Sequence, residues 1–159
     1  IYIPAGGDIP DMTENEKFKH KIDFVDEMTS YLSDTYTQND KVVILGDFNI
    51  APFEHDVWSS KQLKNVVSHT DIERSRIEIM RQSLNFTDSA RQFVPMDEKA
   101  YSWWSYRNRD WTKSNRGRRL DHIWVTKPLT PLLQSYEVYS DARGWEKPSD
   151  HAPIMIELS

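Results

Sequence analysis

At 159 residues, 38% hydrophobic and 28% charged, the chain can bury the core of one globular domain. It has no cysteine, so disulfides and thiolate metal sites are excluded, and no apolar run approaches the roughly 18 residues of a membrane span. A formal net charge of −5 argues against a general nucleic-acid binder, yet residues 107–119, RNRDWTKSNRGRR, carry six basic residues against one acidic. One basic segment on an otherwise acidic chain implies a localised anion site.

The chain opens on Ile1-Tyr2-Ile3-Pro4, which reads as the end of a strand, and this suggests a fragment whose N-terminal part is absent. With no signal-peptide pattern in view, the expected location is cytoplasmic. AGGDIPDMT, residues 5–13, is a turn-rich loop. A helix is predicted over 16–33, where Phe18, Ile22, Val25, Met28 and Leu32 recur on one face. Residues 41–48 form a nearly continuous apolar run, the pattern of a strand buried on both faces. Residues 54–67 are partly helical. A second helix is predicted over 70–84, capped by Ser68 or Thr70, with Ile72, Ile79, Met80 and Leu84 among its apolar positions. Residues 101–106 are aromatic and strand-like. Residues 120–125, 136–139 and 152–158 supply further strands. Strands mixed with helices imply an α/β or α+β fold, with no repeat and no clear linker, so the chain is expected to be a single domain.

Four stretches could carry chemistry. In Gly46-Asp47-Phe48-Asn49, alternation puts Asp47 and Asn49 on one face, where a carboxylate and a carboxamide can hold a metal or orient a water. An ordinary turn explains the same residues equally well. Asp121 lies inside the apolar run Leu120 to Val125, and a buried carboxylate needs a partner. Arg118 or Arg119 could be that partner in a purely structural salt bridge. Asp150-His151 offers a carboxylate and an imidazole at a loop-to-strand junction, the setting of an acid or electrophile, although lone histidines are more often structural. His20, His55, His69 and His122 have no comparable setting. Last, Tyr101-Ser102-Trp103-Trp104-Ser105-Tyr106-Arg107 places aromatics beside arginines, which suits stacking and phosphate neutralisation. Core packing is the alternative, and Trp103 and Trp104 must point to opposite faces.

Singly these signals are modest. Together and in this order, "YIPAGGD", "GDFNIAP", "YSWWSYR", "NRGRRLDHIWV" and "EKPSDHAP" resemble the exodeoxyribonuclease III family of Mg²⁺-dependent DNA-repair nucleases, within the endonuclease/exonuclease/phosphatase superfamily. "GDFN" with "SDH" alone would also fit that superfamily's inositol-phosphate phosphatases. The resemblance implies the C-terminal portion of a four-layer, DNase I-like α/β sandwich. It implies Tyr2 as a catalytic tyrosine, Asp47 as the group that activates the attacking water, and Asn49 as a phosphate contact. It further implies Asp121 as the group that orients a protonated His151, and His151 as stabiliser of the transition state. The metal, Mg²⁺ or Mn²⁺, would be held by Asp150, Asp47 and Asn49. Trp103 would wall the sugar pocket, while Tyr106, Arg107, Arg116 and Arg118 would contact DNA. Such chemistry needs an aligned water, neutralised phosphoryl oxygens and a Lewis acid of hard-ligand preference. The implied substrates are abasic or 3′-ended duplexes. The family's upstream Asn and metal-binding Glu match no segment here, so the missing N-terminal part is an expected partner, and the chain alone is expected to be poorly active and to expose an apolar face. The alternatives are a phosphomonoesterase of the same superfamily and a non-catalytic nucleic-acid-binding module.

Overall fold

Two antiparallel sheets flanked by helices make up the chain, and the computed structural model describes all of residues 1–159. The first sheet has the order β1 (Val43–Asp47), β3 (Asp121–Val125), β2 (Thr87–Asp88). The second pairs β4 (Leu133–Val138) with β5 (Ile154–Leu158). Val125, Leu129 and Leu133, with Ile156 against them, join the two sheets. Helices α1 (Glu16–Thr35) and α3 (Asp71–Ser83) pack on the first sheet through Val25, Leu32, Ile77 and Met80, meeting Ile44, Phe48 and Trp124. Three short helices, α2 (Ser60–Leu63), α4 (Ser89–Phe93) and α5 (Trp111–Ser114), complete the set.

Helix α1 starts where Asn15 accepts the amide of Lys17, and Phe18, Ile22, Val25 and Leu32 are buried as the periodicity requires. Lys21 is buried on the same face, which no apolar pattern anticipates. Its partner is Glu73 on α3, and both side chains are fully buried. Thr70, not Ser68, caps α3 in a reciprocal box with Glu73. The buried stripe of α3 is Glu73, Ile77, Met80 and Leu84, so Ile79, expected in the core, is exposed. A charged residue at the head of a stripe hides its phase from a hydrophobicity reading.

Strand β1 is shorter than expected and buried on one face only. Ile44 and the adjoining Phe48 face the core, while Val43 and Leu45 are exposed together with Ile1 and Tyr2. This strip is one apolar exposure on the first sheet; on the second, Met155 and Leu158 of β5 are exposed as well. The N-terminal residues lie along β1: the amide of Ile3 donates to Asp47 O at 2.9 Å and the terminal ammonium of Ile1 to Leu45 O at 2.6 Å. Gly46 permits this approach. Its φ is +139°, and a Cβ there would lie 1.9 Å from the Ile1 carbonyl oxygen. The strand expected over 101–106 reduces to single bridges, Trp103 with Arg118 and Trp103 with His151. Trp103 and Trp104 do diverge: Trp104 is buried with Tyr101 and Ala152, and Trp103 lines the cavity.

Candidate active site

Adjacent strands β1 and β3 end side by side, and the register sets Asp47 opposite Asp121. Directly paired residues of a sheet share a face, so two carboxylates meet there. Asp47 Oδ1 accepts the amide of Asn49 at 2.9 Å and Oδ2 accepts its Nδ2 at 3.0 Å. Asp121 Oδ2 accepts the Ser102 hydroxyl at 2.6 Å and lies 2.8 Å from Nδ1 of His151. Nε2 of His151 is 3.8 Å from Asp47 Oδ2. Asp47, Asn49, Asp121 and His151 thus converge, although more than a hundred residues separate the first from the last. The structural salt bridge of Asp121 to Arg118 or Arg119 is not formed. Ser102 and His151 take that place.

Burial raises the pKa of the Asp47 carboxyl, and the charge of Asp121 adds to the rise; the Asn49 amide opposes it. Burial by itself lowers the pKa of His151, but the hydrogen bond and charge of Asp121, then Asp47 and Asp150, outweigh it, and the net direction is upward. With Nδ1–H donated to Asp121, Nε2 carries a proton to donate into the site in the imidazolium form, which the upward direction favours.

Donor atoms of Asp47, Asp121 and His151 lie within 4.8 Å of one another. The fit to a divalent cation is good on chemistry: hard oxygens dominate, and a cation between two partly buried carboxylates would relieve the repulsion that raises the pKa of Asp47. Asn49 adds a further oxygen. Both its N–H groups are used, one by Asp47 and one by Ile3 O at 2.9 Å. Its Oδ1, which accepts no hydrogen bond, is the atom left for the adjoining cavity. That is an acceptor, suited to a metal; holding a phosphate oxygen, the expected role, would need the amide to reorganise. Asp150 stands apart from the three-donor cluster, and its Oδ2 accepts the Trp103 indole N–H at 2.9 Å.

Beside the cluster opens a cavity of about 760 Å³. Asn49, Trp103 and Leu120 form its end near the carboxylates, and Arg107, Arg116 and Arg118 bring the positive charge. Guanidinium groups lie over indoles, Arg116 at 4.7 Å from the ring centre of Trp58 and Arg118 at 5.3 Å from that of Trp103. Of the six basic residues in the run, Arg107, Arg116 and Arg118 flank the site, whereas Arg109 and Lys113 do not line the cavity. Arg119 turns inward and is completely buried between Asp56 and Asp88, each bound through two nitrogens. Tyr106 is not brought to the cavity: its hydroxyl donates to Pro148 O at 2.7 Å and its ring lies under Arg143. Tyr2 is held next to Asp47 by its neighbours' backbone bonds, but the residue is 63% exposed and its hydroxyl is unbonded.

Ser102 escaped the sequence reading because its stretch was read for aromatics. Fully buried, it also accepts the amides of Leu120 and Asp121 at 3.2 and 3.1 Å, which ties the carboxylate to its backbone. Lys21 was missed as well. Its ammonium donates to Asn49 O at 2.7 Å and so holds a residue whose φ is +52°. His122 and His69 are buried and hydrogen-bonded to Ile50 O and Ala51 O.

Residues 3–151 match the Endonuclease/Exonuclease/phosphatase family. The chain belongs to that family. Exodeoxyribonuclease III of Haemophilus influenzae is 30% identical over 99% of this chain and 59% of its own length. An AP endonuclease from Archaeoglobus fulgidus superposes with a TM-score of 0.92 at 30% identity, covering 99% of this chain and 59% of that one. The 3′ phosphatase NExo from Neisseria, solved with product DNA hairpin, superposes at 0.89 with 31% identity, over 100% of this chain and 59% of its own. The chain therefore carries the expected α/β fold as a part of this family's sandwich, and it spans about 59% of the length of these relatives. No helix is long and apolar enough to cross a membrane.

Proposed function

We propose that this site belongs to a metal-dependent DNA-repair phosphodiesterase, which cleaves at abasic sites or 3′ ends by in-line attack of water on phosphorus. The observation that carries the reading is the Asp121–His151 pair at 2.8 Å, set beside Asp47 at the mouth of an arginine-walled cavity. Asp47 accepts the proton of the attacking water; the new bond is water oxygen to phosphorus, and the bond that breaks is phosphorus to the 3′ oxygen of the preceding nucleotide, which leaves as a 3′ hydroxyl after taking a proton from solvent. His151, kept protonated by Asp121, directs Nε2–H at the charge that builds on the phosphoryl oxygens. Ser102 keeps Asp121 from turning away. Mg²⁺ or Mn²⁺, held by Asp47, Asn49 Oδ1 and Asp121, would supply Lewis acidity and neutralise phosphoryl charge. Trp103 and the arginines position the strand, the arginines through salt-dependent phosphate contacts. A cytoplasmic location belongs to the same reading and is supported by the lack of cysteine. The 3′ phosphatase among the relatives favours one second reading, removal of a terminal 3′ phosphate by the same groups.

The test is incision of an abasic-site duplex and shortening of a 3′-ended duplex. Both are assayed with Mg²⁺ and with a chelator, on the chain alone and on the chain joined to the N-terminal portion of the Haemophilus relative. Cleavage should require the metal, vanish with Asp47→Ala and fall by about 10²-fold or more with His151→Ala. Cleavage indifferent to both substitutions would overturn the reading.

A further inference from the structure

Trp103 is bridged on one side to His151 and on the other to Arg118. Bridged residues share a face, so imidazole, indole and guanidinium form one row across three chain segments. At the usual strand spacing the outer backbones of that row lie about 10 Å apart. His151 stands at the catalytic end. Arg118 stands at the other, on the wall of the cavity, with Leu120 and Asn49 nearby.

The state of Arg118 is unusual for a half-buried cation. No carboxylate lies within ion-pair distance, in contrast to Arg119, which has two. Nη1 donates to Val67 O at 3.1 Å and to Ser68 Oγ at 2.6 Å. Nε is buried with no partner, and Nη2 makes no hydrogen bond. Burial also lowers the pKa of this guanidinium. A positive group held by neutral acceptors and stacked on an indole, with no carboxylate in contact and only the more distant charge of Glu73 opposing its burial, costs stability unless something pairs with it. The cavity it lines holds three arginines against one carboxylate, that of Asp8.

We propose that Arg118, with Arg116 beside it, forms a second phosphate subsite, which takes the phosphate on the 3′ side of the nucleotide whose 5′ phosphate is attacked at Asp47 and His151. Trp103 lies between the two phosphates and contacts the sugar that joins them. The substrate class is thus a deoxyribose unit phosphorylated on both sides, either within a continuous strand or at an end that bears a 3′ phosphate. A nucleotide ending in a free 3′ hydroxyl leaves Arg118 unpaired and is bound less tightly. This rests on the reading of the site as a phosphodiesterase.

The experiment compares two small ligands on the native chain without metal: deoxyribose 3,5-bisphosphate and deoxyribose 5-phosphate. Binding is followed by calorimetry, and the indole N–H resonance of Trp103 reports where the ligand sits. The bisphosphate should bind at least about tenfold more tightly, as a charge-assisted pair with a desolvated guanidinium predicts, and the advantage should shrink with salt. Arg118→Gln should bring the two affinities together, and Arg116→Gln, at an exposed position, should narrow the gap in part. Equal binding of the two ligands by the native chain, or no binding of either, overturns the subsite without using any variant. An advantage that survives Arg118→Gln in a folded protein overturns the assignment to Arg118. The outcomes separate the two claims: cleavage that depends on Asp47 with no bisphosphate advantage sinks the subsite alone, whereas an advantage dependent on Arg118 with cleavage indifferent to Asp47 sinks the phosphodiesterase reading alone.

Discussion

Asp56→Asn tests the support beneath the site. Asp56 is fully buried and binds Arg119 through both carboxylate oxygens at 2.8 and 2.9 Å, Arg91 through Oδ1, and the amide of Phe53 at 3.0 Å. Burial alone would raise its pKa, but the two guanidinium groups win and hold it at about 2, against 3.8 for a free carboxyl. At about 1.4 kcal/mol per pKa unit, that difference is worth about 2.5 kcal/mol of stability linked to ionisation. The sign is fixed by the depression: the contribution is complete above pH 3.8 and is lost as the pH falls through about 2. At neutral pH the substitution should cost about 3–5 kcal/mol, since a buried guanidinium loses one of its two carboxylates. Urea unfolding measured from neutral pH down to about pH 2 reads both numbers. The wild type should lose about 2 kcal/mol more than the variant over the acid limb. Parallel acid limbs, or a neutral-pH loss below about 1 kcal/mol, would refute the view that this ion network anchors the segment bearing Arg118 and Asp121.

The Asp121–His151 pair makes a prediction in solution. The His151 imidazole, followed by NMR in metal-free protein, should titrate above 6.5, and in Asp121→Asn its midpoint should move down. Its raised pKa contributes stability that is present below 6.5 and lost as the pH rises through the folded value; an unchanged midpoint in the variant would place the cause elsewhere. Gly46→Ala should lift the N-terminal residues off β1, because its Cβ would lie 1.9 Å from Ile1 O and φ is +139°. The expected cost is about 1–3 kcal/mol, with faster hydrogen exchange at the Ile3 amide, and native exchange there would show that the segment tolerates a side chain.

Legible in the sequence were the class of the fold, its two long helices, four of its five strands to within a few residues, and four side chains that the structure brings together, Asp47, Asn49, Asp121 and His151. Those features are local. Apolar periodicity marks α1, and side chains that bond nearby backbone mark the start of α3. The order of Asp47-Phe48-Asn49, the arginine run and Asp150-His151 also carried the family resemblance. Tertiary structure alone decided which groups are partners. Arg118 and Arg119 are neighbours in sequence and identical in type, yet one is buried between Asp56 and Asp88 and the other faces the cavity with no carboxylate in contact. No local signal separates them, because alternation says only that they point opposite ways and not which way is in. Asp121 could have met either arginine; the β1–β3 register and the Trp103 bridge brought it His151 and Ser102 instead. Lys21 and Glu73 read as surface charges, and the packing of α1 on α3 makes them a buried pair beneath Asn49. Pairing of charges acts over long sequence separations, and its sign depends on desolvation, which exists only once the chain has folded around it.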